Sequence, residues 1–253
     1  MTIRDDHALA ADLATEAGER LLALRAREGF ADPAGLRALG DRAAHVFLME
    51  SLSRLRPSDC VLSEESSRED RLDPRRLSAP RVWIVDPLDG TREFAEEGRS
   101  DWAVHVALWE GDRLTAGAVA LPAQGRTLST GEPPKLPAQR GRFRIAVSRT
   151  RPPEFVQKLA YLVGADLVPI GSAGAKISAV LTGDVEAYVH AGGQYEWDSA
   201  APVAVAQAAG AHTSRIDGTP LTYNRPDPSL PDILVSLPDL ASTLLAGIRD
   251  LHR

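Results

Sequence analysis

Two carboxylates lie three residues apart, directly after a short apolar run. Residues 83–91 read WIVDPLDGT, so the run ends in Asp86 and Asp89. Pro87 holds Asp86 extended and the following glycine allows a tight turn, so both carboxylates and the carbonyl of Leu88 could converge on one point. Oxygen ligands of this type suit Mg²⁺ or Mn²⁺. The alternative is an ordinary surface turn, because Asp, Pro and Gly are the commonest turn residues.

The next residues along the chain could bind a phosphate. Thr91 can cap a helical turn, which leaves the amides of Gly90 and Thr91 pointing outward. An open helix N-terminus of this kind binds phosphate, because its amides carry partial positive charge. The sequence therefore places a candidate phosphate site beside a candidate metal site.

Two further segments carry acids at the ends of elements. Residues 63–66 read SEES after an apolar run, and residues 196–201 read EWDSAA at the start of an alanine-rich helix. Each is ambiguous alone, because Glu64 could lie in a solvated loop end and Asp198 could simply cap its helix. Their value lies in the combination with the first pair of carboxylates.

The first half of the chain predicts two helices and a sheet. Apolar residues recur at three- and four-residue steps from Asp6 to about Arg27 and again over 41–55, which is typical of amphipathic helices. The intervening stretch, 29–40, is predicted to be a loop. Strands are predicted at 61–63, 82–85, 102–109 and 115–121, with a turn-rich loop over 66–80. Together these elements predict a mainly antiparallel sheet covered by two helices.

The second half predicts a different arrangement. A stretch rich in Pro and Gly at 131–142 is the predicted boundary, which divides the chain into residues 1–139 and 140–253. Beyond it, apolar runs at 143–148, 168–172, 185–190 and 233–236 alternate with helical patterns at 153–163, 173–182, 199–209 and 238–252. Such alternation predicts a mainly parallel α/β layer.

The composition argues against several classes of protein. The chain has 253 residues, 43% hydrophobic and 25% charged, so it can bury a core. Its formal net charge of −6 argues against a nucleic-acid polymer as partner. The single cysteine, Cys60, cannot form an intramolecular disulfide, and no segment approaches the roughly 20 apolar residues of a membrane span. We therefore expect a cytoplasmic protein without membrane insertion.

The segments SEES, WIVDPLDGT and WDSAA, in this order, resemble the signature segments of the inositol monophosphatase superfamily. The resemblance implies a layered αβαβα sandwich of the α/β (α+β) class, with the site between its halves, and a homodimer. It also implies Mg²⁺ as cofactor, as two or three ions for which Mn²⁺ can substitute, and inhibition by Li⁺. The implied metal ligands are Glu64, Asp86, the carbonyl of Leu88, Asp89 and Asp198.

The resemblance further implies two catalytic residues. In this superfamily an aspartate on the second helix works with the Thr of DGT to activate a water for in-line attack on phosphorus. Asp41 and Thr91 match those positions, although ALGDRAA around Asp41 departs from the threonine-rich run of the family, so a helix-capping role stays open. His105 lies in a strand-like context and is predicted to be structural.

Other segments resemble the 3'(2'),5'-bisphosphate nucleotidase branch, which includes CysQ: REF at 92–94, GSAGAK at 171–176 and HAGG at 190–193. A substrate with two phosphates needs a second cation, for which Lys176 is the candidate, with a solvated helix residue as the alternative. A flat purine could lie against the backbone of Gly192 and Gly193, which otherwise form a simple turn. The predicted substrate-binding residues are Gly90, Thr91, Arg92, Gly171, Ser172, Lys176, Gly192, Gly193 and Glu196.

The resemblance thus implies a phosphatase for a small phosphorylated nucleotide, converting 3'-phosphoadenosine 5'-phosphate to AMP and phosphate, with the sulfated parent nucleotide as a further candidate. One alternative is activity on inositol phosphate or fructose 1,6-bisphosphate with the same fold. Another is a catalytically silent domain that binds nucleotide or metal. The arginine-rich stretch 68–76 is expected to be a solvated loop or a lid over an anionic substrate.

Overall fold

The computed structural model describes residues 5–139 and 141–251, which form five layers in the order helices, sheet, helices, sheet, helices. The helices are α1 (Asp6–Glu28), α2 (Pro33–Leu55), α3 (Arg68–Arg71), α4 (Pro74–Ser78), α5 (Thr91–Phe94), α6 (Glu154–Val163), α7 (Ala173–Thr182), α8 (Glu196–Ala209) and α9 (Ala241–Leu251). The strands are β1 (Cys60–Ser63), β2 (Arg81–Asp89), β3 (Ala103–Glu110), β4 (Arg113–Leu121), β5 (Arg126–Ser129), β6 (Arg144–Ser148), β7 (Asp166–Ile170), β8 (Ala187–Tyr195), β9 (His212–Ser214) and β10 (Ser229–Ser236). The predicted αβαβα sandwich is confirmed.

Helix α2 begins at Pro33 rather than at residue 41, so the loop predicted over 29–40 is wrong for most of its length. Asp32 caps the helix by accepting a hydrogen bond from the amide of Gly35 at 3.0 Å. Pro33 follows in the first turn, where its missing N–H costs nothing. Asp41 consequently lies in the interior of α2, and the interpretation of Asp41 as a helix cap is wrong.

The first sheet has the strand order β1-β2-β3-β4-β5, and only the pairing of β1 with β2 is parallel. It is mainly antiparallel, as predicted. Its two faces are both buried, because Trp83, Val104 and Val106 pack against α1 and α2 while Ile84 and Ala107 pack on the other side. Burial on both faces explains the nearly continuous apolar runs of these strands.

The signature carboxylates belong to β2 and not to a surface turn. The strand continues through Asp89, with Asp86 paired with His105 and Asp89 with Ala103 across an irregularity in the register. Both aspartates are buried. The alternative interpretation of this segment as an ordinary surface turn is therefore wrong.

The second sheet is mixed, with the order β7-β6-β8-β10-β9, rather than mainly parallel as predicted. Strand β6 pairs in parallel with β7 and β8, whereas β10 pairs antiparallel with β8 and β9. Helix α8 returns the chain so that β9 runs in the same direction as β8. Strand β10 then passes back between them, so both of its pairings must be antiparallel.

Helices α7 and α8 form the central layer, and their buried residues join a single apolar cluster with side chains from both sheets. The segment 131–142 connects β5 to β6, and Arg140, where the predicted second half begins, lies outside the described residues. The division at 139 stays a prediction. Within the described ranges, no helix combines the length and apolar character needed to cross a membrane.

Candidate metal centre and active site

Three carboxylates, from two distant parts of the chain, converge between the two sheets. Asp86 and Asp89 stand at the end of β2, and Asp198 lies in the first turn of α8. One carboxylate oxygen from each lies within 4.8 Å of the others. The structure therefore brings together acids that the sequence predicted as metal ligands from two separate segments.

Asp86 is the most deeply buried of these acids, with 0% of its surface exposed. Its Oδ1 accepts a hydrogen bond from the amide of Leu88 at 3.0 Å, whereas its Oδ2 is buried with no hydrogen-bond partner among the described residues. Burial, and then the charges of Glu64, Asp89 and Asp198, raise the pKa of Asp86 well above its ordinary value. An unpartnered buried carboxylate oxygen is a suitable ligand for a divalent cation.

Glu64 and Asp198 complete this crowded set. Burial raises the pKa of Glu64 from 4.5 to about 7, although its contact with the Asp86 carboxyl opposes the change. Burial likewise raises the pKa of Asp198 from 3.8 to about 7, and the charge of Asp89 adds to it. The amide of Tyr195 donates to Asp198 Oδ2 at 2.7 Å and orients that carboxylate. Without a cation, these acids repel one another.

Asp89 has the opposite environment, because donors surround its carboxylate. The amide of Gly174 donates to Oδ2 at 2.6 Å and the amide of Ala173 to Oδ1 at 3.3 Å, so the N-terminus of α7 faces this acid. His105 Nε2 lies 3.2 Å from Oδ2. Burial would raise the pKa of Asp89, but His105 and the Gly174 amide lower it below its ordinary value. Asp89 is thus the ionised anchor of the group.

His105 contacts the candidate metal centre, and the sequence did not reveal this contact. It lies on β3, and its Nδ1 is 2.9 Å from the carbonyl oxygen of Trp197, beside Asp198. Its imidazole therefore connects Asp89 of the first sheet to the start of α8. The available signal was a single histidine among the apolar residues of β3, which is equally typical of a structural histidine.

Asp41 and Thr91 meet beside the carboxylates, as the resemblance implied. Thr91 Oγ1 lies 3.4 Å from Asp41 Oδ1 and 3.1 Å from the carbonyl oxygen of Leu88. Burial raises the pKa of Asp41 to about 6, and the charge of Glu65 adds to it. Gly40 allows this approach, because a Cβ there would lie 2.9 Å from Leu88 Cδ2.

The turn after β2 is held open by Gly90, which has a left-handed φ of 83°. A Cβ at Gly90 would lie 2.8 Å from Ser172 Cβ, so only glycine fits both the backbone conformation and the space. Arg92, two residues later, is exposed. The predicted phosphate-binding turn therefore lies beside the acids, with a cation at its surface.

Some predicted substrate-binding groups already have partners within the protein. The amide of Gly171 donates to Asp101 Oδ2 at 2.6 Å, and the amide of Ser172 to the Asp101 carbonyl at 3.1 Å. Ser172 Oγ caps α7 by accepting from the amide of Ala175 at 2.9 Å. The backbone amides at the start of α7 therefore donate their hydrogen bonds to Asp89 and Asp101 of this chain.

Glu196 also has a structural environment, at 1% exposure. Its carboxylate accepts hydrogen bonds from the amides of Asn224 at 2.6 Å and Arg225 at 2.8 Å. Lys176 is buried as well, and its Nζ donates to the carbonyl of Gly171 at 2.5 Å. Burial lowers the pKa of Lys176 while nearby acids, Asp89 first, oppose the change.

Gly192 and Gly193 form a bulge at the surface, in which the carbonyl oxygen of Gly192 lies 2.7 Å from His190 Nε2. Both are exposed, with left-handed φ values of 85° and 71°, where β8 bulges against β10. A Cβ at either position would have no described heavy atom within 4 Å. The open backbone here is compatible with a flat ligand.

Comparisons with known proteins show the family to which this chain belongs. The model of the inositol monophosphatase family matches residues 7–250. A 3'-phosphoadenosine 5'-phosphate phosphatase of Mycobacterium leprae is 51% identical, covering 97% of this chain and 94% of the relative. The 3'(2'),5'-bisphosphate nucleotidase CysQ of Escherichia coli is 34% identical, covering 72% of this chain and 77% of the relative. The crystal structure of inositol monophosphatase II from Staphylococcus aureus matches with a TM-score of 0.78 at 24% identity, over 97% of this chain and 95% of that chain. This chain belongs to the inositol monophosphatase family.

Proposed function

We propose that this protein is a cytoplasmic, Mg²⁺-dependent phosphatase that converts 3'-phosphoadenosine 5'-phosphate to AMP and inorganic phosphate. The observation that carries the proposal is the convergence of Asp86, Asp89 and Asp198 within 4.8 Å, beside the Asp41–Thr91 pair. The 51% identity with the Mycobacterium leprae 3'-phosphoadenosine 5'-phosphate phosphatase supports this substrate. The sulfated parent nucleotide is a second candidate substrate.

Mg²⁺ would be held by carboxylates from both halves of the chain and by one carbonyl oxygen. The unpartnered Oδ2 of Asp86 and the raised pKa values of Glu64 and Asp198 support a divalent cation there, because its charge would offset their repulsion. When bound, Mg²⁺ supplies Lewis-acid chemistry, which offsets charge on the phosphate and on its leaving oxygen. The proposed ligands are Glu64, Asp86, the carbonyl of Leu88, Asp89 and Asp198. We further propose two or three Mg²⁺ ions, substitution by Mn²⁺ and inhibition by Li⁺.

Asp41 and Thr91 would move the proton of the attacking water. The Thr91 hydroxyl accepts a hydrogen bond from the water and donates its own proton to Asp41, so one proton reaches Asp41 as the oxygen–phosphorus bond forms. The pKa near 6 leaves Asp41 ionised at neutral pH and makes it a stronger base than an exposed aspartate. The ester bond breaks in line with the attack, and the leaving 3'-oxygen takes a proton from solvent.

Substrate contacts would follow from the open turns around this centre. The amides of Gly90 and Thr91, with the Arg92 side chain, face the phosphate that is hydrolysed. The exposed backbone at Gly192 and Gly193 faces the purine. Glu196, Gly171 and Ser172 are left out of the proposed substrate site, because their polar groups are bonded within the protein.

A substrate panel tests the proposal. Steady-state rates with Mg²⁺ are measured on 3'-phosphoadenosine 5'-phosphate, inositol 1-phosphate and fructose 1,6-bisphosphate. The proposal predicts the highest kcat/KM for the nucleotide. A clear preference for inositol phosphate would overturn the substrate while leaving the phosphatase chemistry intact.

Metal removal tests the chemistry itself. Phosphate release should stop in EDTA and return with Mg²⁺ or Mn²⁺, and Li⁺ should inhibit the Mg²⁺-loaded protein. If no substrate released phosphate with or without Mg²⁺, the protein would be a catalytically silent domain that binds nucleotide or metal.

The proposed assembly is a homodimer. Light scattering during size-exclusion chromatography should give twice the mass of one chain. The mass of a single chain across a wide concentration range would contradict this part of the proposal.

A further inference from the structure

The segment between β1 and β2 carries an arginine whose guanidinium lies over Trp197, the residue directly before Asp198. Arg71, the last residue of α3, is half-buried, and its guanidinium makes no hydrogen bond or ion pair within the described ranges. We propose that Arg71 binds the phosphate of the substrate that is not hydrolysed. This inference rests on the proposed function and adds a residue that determines specificity for a substrate with two phosphates.

The Arg71 side chain lies over the aromatic residue that precedes Asp198 in the chain. Its guanidinium carbon lies 5.4 Å from the ring centroid of Trp197, the residue directly before Asp198. Tyr195 stacks on the same indole, with a centroid distance of 4.7 Å and an interplanar angle of 10°. The tryptophan is buried, so the surface under the guanidinium is rigid. Arg71 is therefore held at the start of α8.

The backbone of Arg71 is fixed by a second arginine. Arg76, which is 2% exposed, donates to the carbonyl oxygen of Arg71 from Nε at 3.2 Å and from Nη2 at 2.8 Å. The same guanidinium donates to Asn224 Oδ1 at 2.5 Å and to the carbonyl of Arg225 at 3.1 Å. Arg76 thus fastens the end of α3 to a loop of the second half.

That loop is in turn held by Glu196, at the first position of α8. The Glu196 carboxylate accepts hydrogen bonds from the amides of Asn224 and Arg225. Arg76 donates hydrogen bonds to the side-chain oxygen of Asn224 and to the carbonyl oxygen of Arg225. A continuous path of buried and partly buried hydrogen bonds therefore joins the Arg71 backbone to the helix that carries Asp198. Such fixing lowers the entropy cost of holding a side chain against a ligand.

Three neighbouring cations already have partners within the protein. Lys176 donates to the carbonyl of Gly171, Arg76 is buried and bonded, and Arg75 forms an ion pair with Asp73 at 2.6 Å. A second phosphate beside an acidic centre needs a local cation, and a guanidinium can bind it through two parallel hydrogen bonds. Arg71 meets this requirement.

The test compares Arg71→Met with Arg68→Met, which removes the same charge from an exposed position on α3. Steady-state kinetics use 3'-phosphoadenosine 5'-phosphate and 3'-AMP, which lacks the second phosphate. Binding in Mg²⁺ is measured for AMP, which keeps only the phosphate that is not hydrolysed, and for inorganic phosphate. Arg71→Lys provides a conservative variant with the charge retained.

Loss of one charge-assisted hydrogen bond predicts an increase of about 10- to 100-fold in the KM of Arg71→Met for the bisphosphate and in its Kd for AMP. Its kcat, its kinetics on 3'-AMP and its Kd for inorganic phosphate should stay close to wild type, Arg68→Met should behave as wild type, and Arg71→Lys should recover part of the loss. Equal losses on both substrates, or no change in AMP binding, would overturn the role of Arg71 alone. If the wild type neither hydrolysed the bisphosphate nor bound AMP, the proposed function would fall as well.

Discussion

Replacing Asp198 with asparagine should stabilise the metal-free protein while removing its phosphatase activity. In the folded chain, burial and the charge of Asp89 raise the pKa of Asp198 from 3.8 to about 7. The folded state then holds this proton more tightly than the unfolded state, so the stabilising effect is complete below pH 3.8 and is lost as the pH rises through 7. The difference between these two pKa values corresponds to about 4 kcal/mol of folding free energy. This is the upper limit of the stability that Asp198→Asn can gain over the ionised wild type.

Asparagine retains a side-chain oxygen that can accept the hydrogen bond from the Tyr195 amide, which is 2.7 Å long in the wild type. The first turn of α8 should therefore keep its conformation. Urea unfolding in EDTA at pH 8 should show a gain of about 1–3 kcal/mol in the free energy of unfolding, since the remaining acids relax in part. The gain should shrink as the pH falls toward 4 and vanish below about 3.8, where the group is protonated in the folded chain and increasingly so in the unfolded chain.

Mg²⁺ should reverse the order of stability. At a concentration 100 times its Kd, the ion stabilises the wild type by about 2.7 kcal/mol, whereas the variant lacks one ligand and gains little. Glu132→Gln removes one negative charge from an exposed position and serves as the control. If Asp198→Asn were less stable than wild type in EDTA at pH 8 while this control was neutral, carboxylate repulsion would not govern the empty centre and the reasoning would be refuted.

Further predictions concern the catalytic and structural contacts. Asp89→Asn should remove nearly all phosphate release and leave the far-UV circular dichroism unchanged; full activity would refute the site. Asp41→Asn should lower kcat by about 10²- to 10⁴-fold with little change in KM, and a kcat near wild type would exclude Asp41 as the base. Gly174→Ala should cost about 1–3 kcal/mol in urea unfolding, because its Cβ would overlap His105 Nε2. Arg76→Met should cost about 3 kcal/mol by leaving buried acceptors unpaired, and a loss below about 1 kcal/mol would contradict the role of this anchor.

The acids of the candidate metal centre could be picked out from the sequence because each carries a local signal. Asp86 and Asp89 lie in the last residues of β2, Glu64 directly follows β1, and Asp198 lies in the first turn of α8, so each acid stands near the end of a strand or the start of a helix. The three segments are specific only in combination, and the resemblance they support was confirmed by the family match over residues 7–250.

The start of α2 was missed because the glycines around it resemble a loop. Gly40 is buried in the helix so that Leu88 and Phe94 can pack against it, and such a contact is not visible in local propensity. The mixed character of the second sheet was missed for a similar reason. Alternation of strands and helices predicts crossovers, but the insertion of β10 between two parallel strands depends on how the sheet closes over α8.

The sequence by itself indicated most of the helices and strands, through apolar periodicity, and the acids of the candidate metal centre, through their positions near the ends of elements. The layered arrangement was implied by the resemblance of three segments to a known family. Only the tertiary structure decided which polar groups are already bonded and which remain for a ligand. Glu196 was predicted to contact the substrate, but its carboxylate accepts hydrogen bonds from the amides of Asn224 and Arg225. Arg71 was predicted to lie in a solvated loop or a lid, but its guanidinium lies over the Trp197 ring and makes no hydrogen bond with another described residue. Hydrogen bonding between residues as far apart as Arg76 and Asn224 depends on packing, which local sequence patterns do not encode.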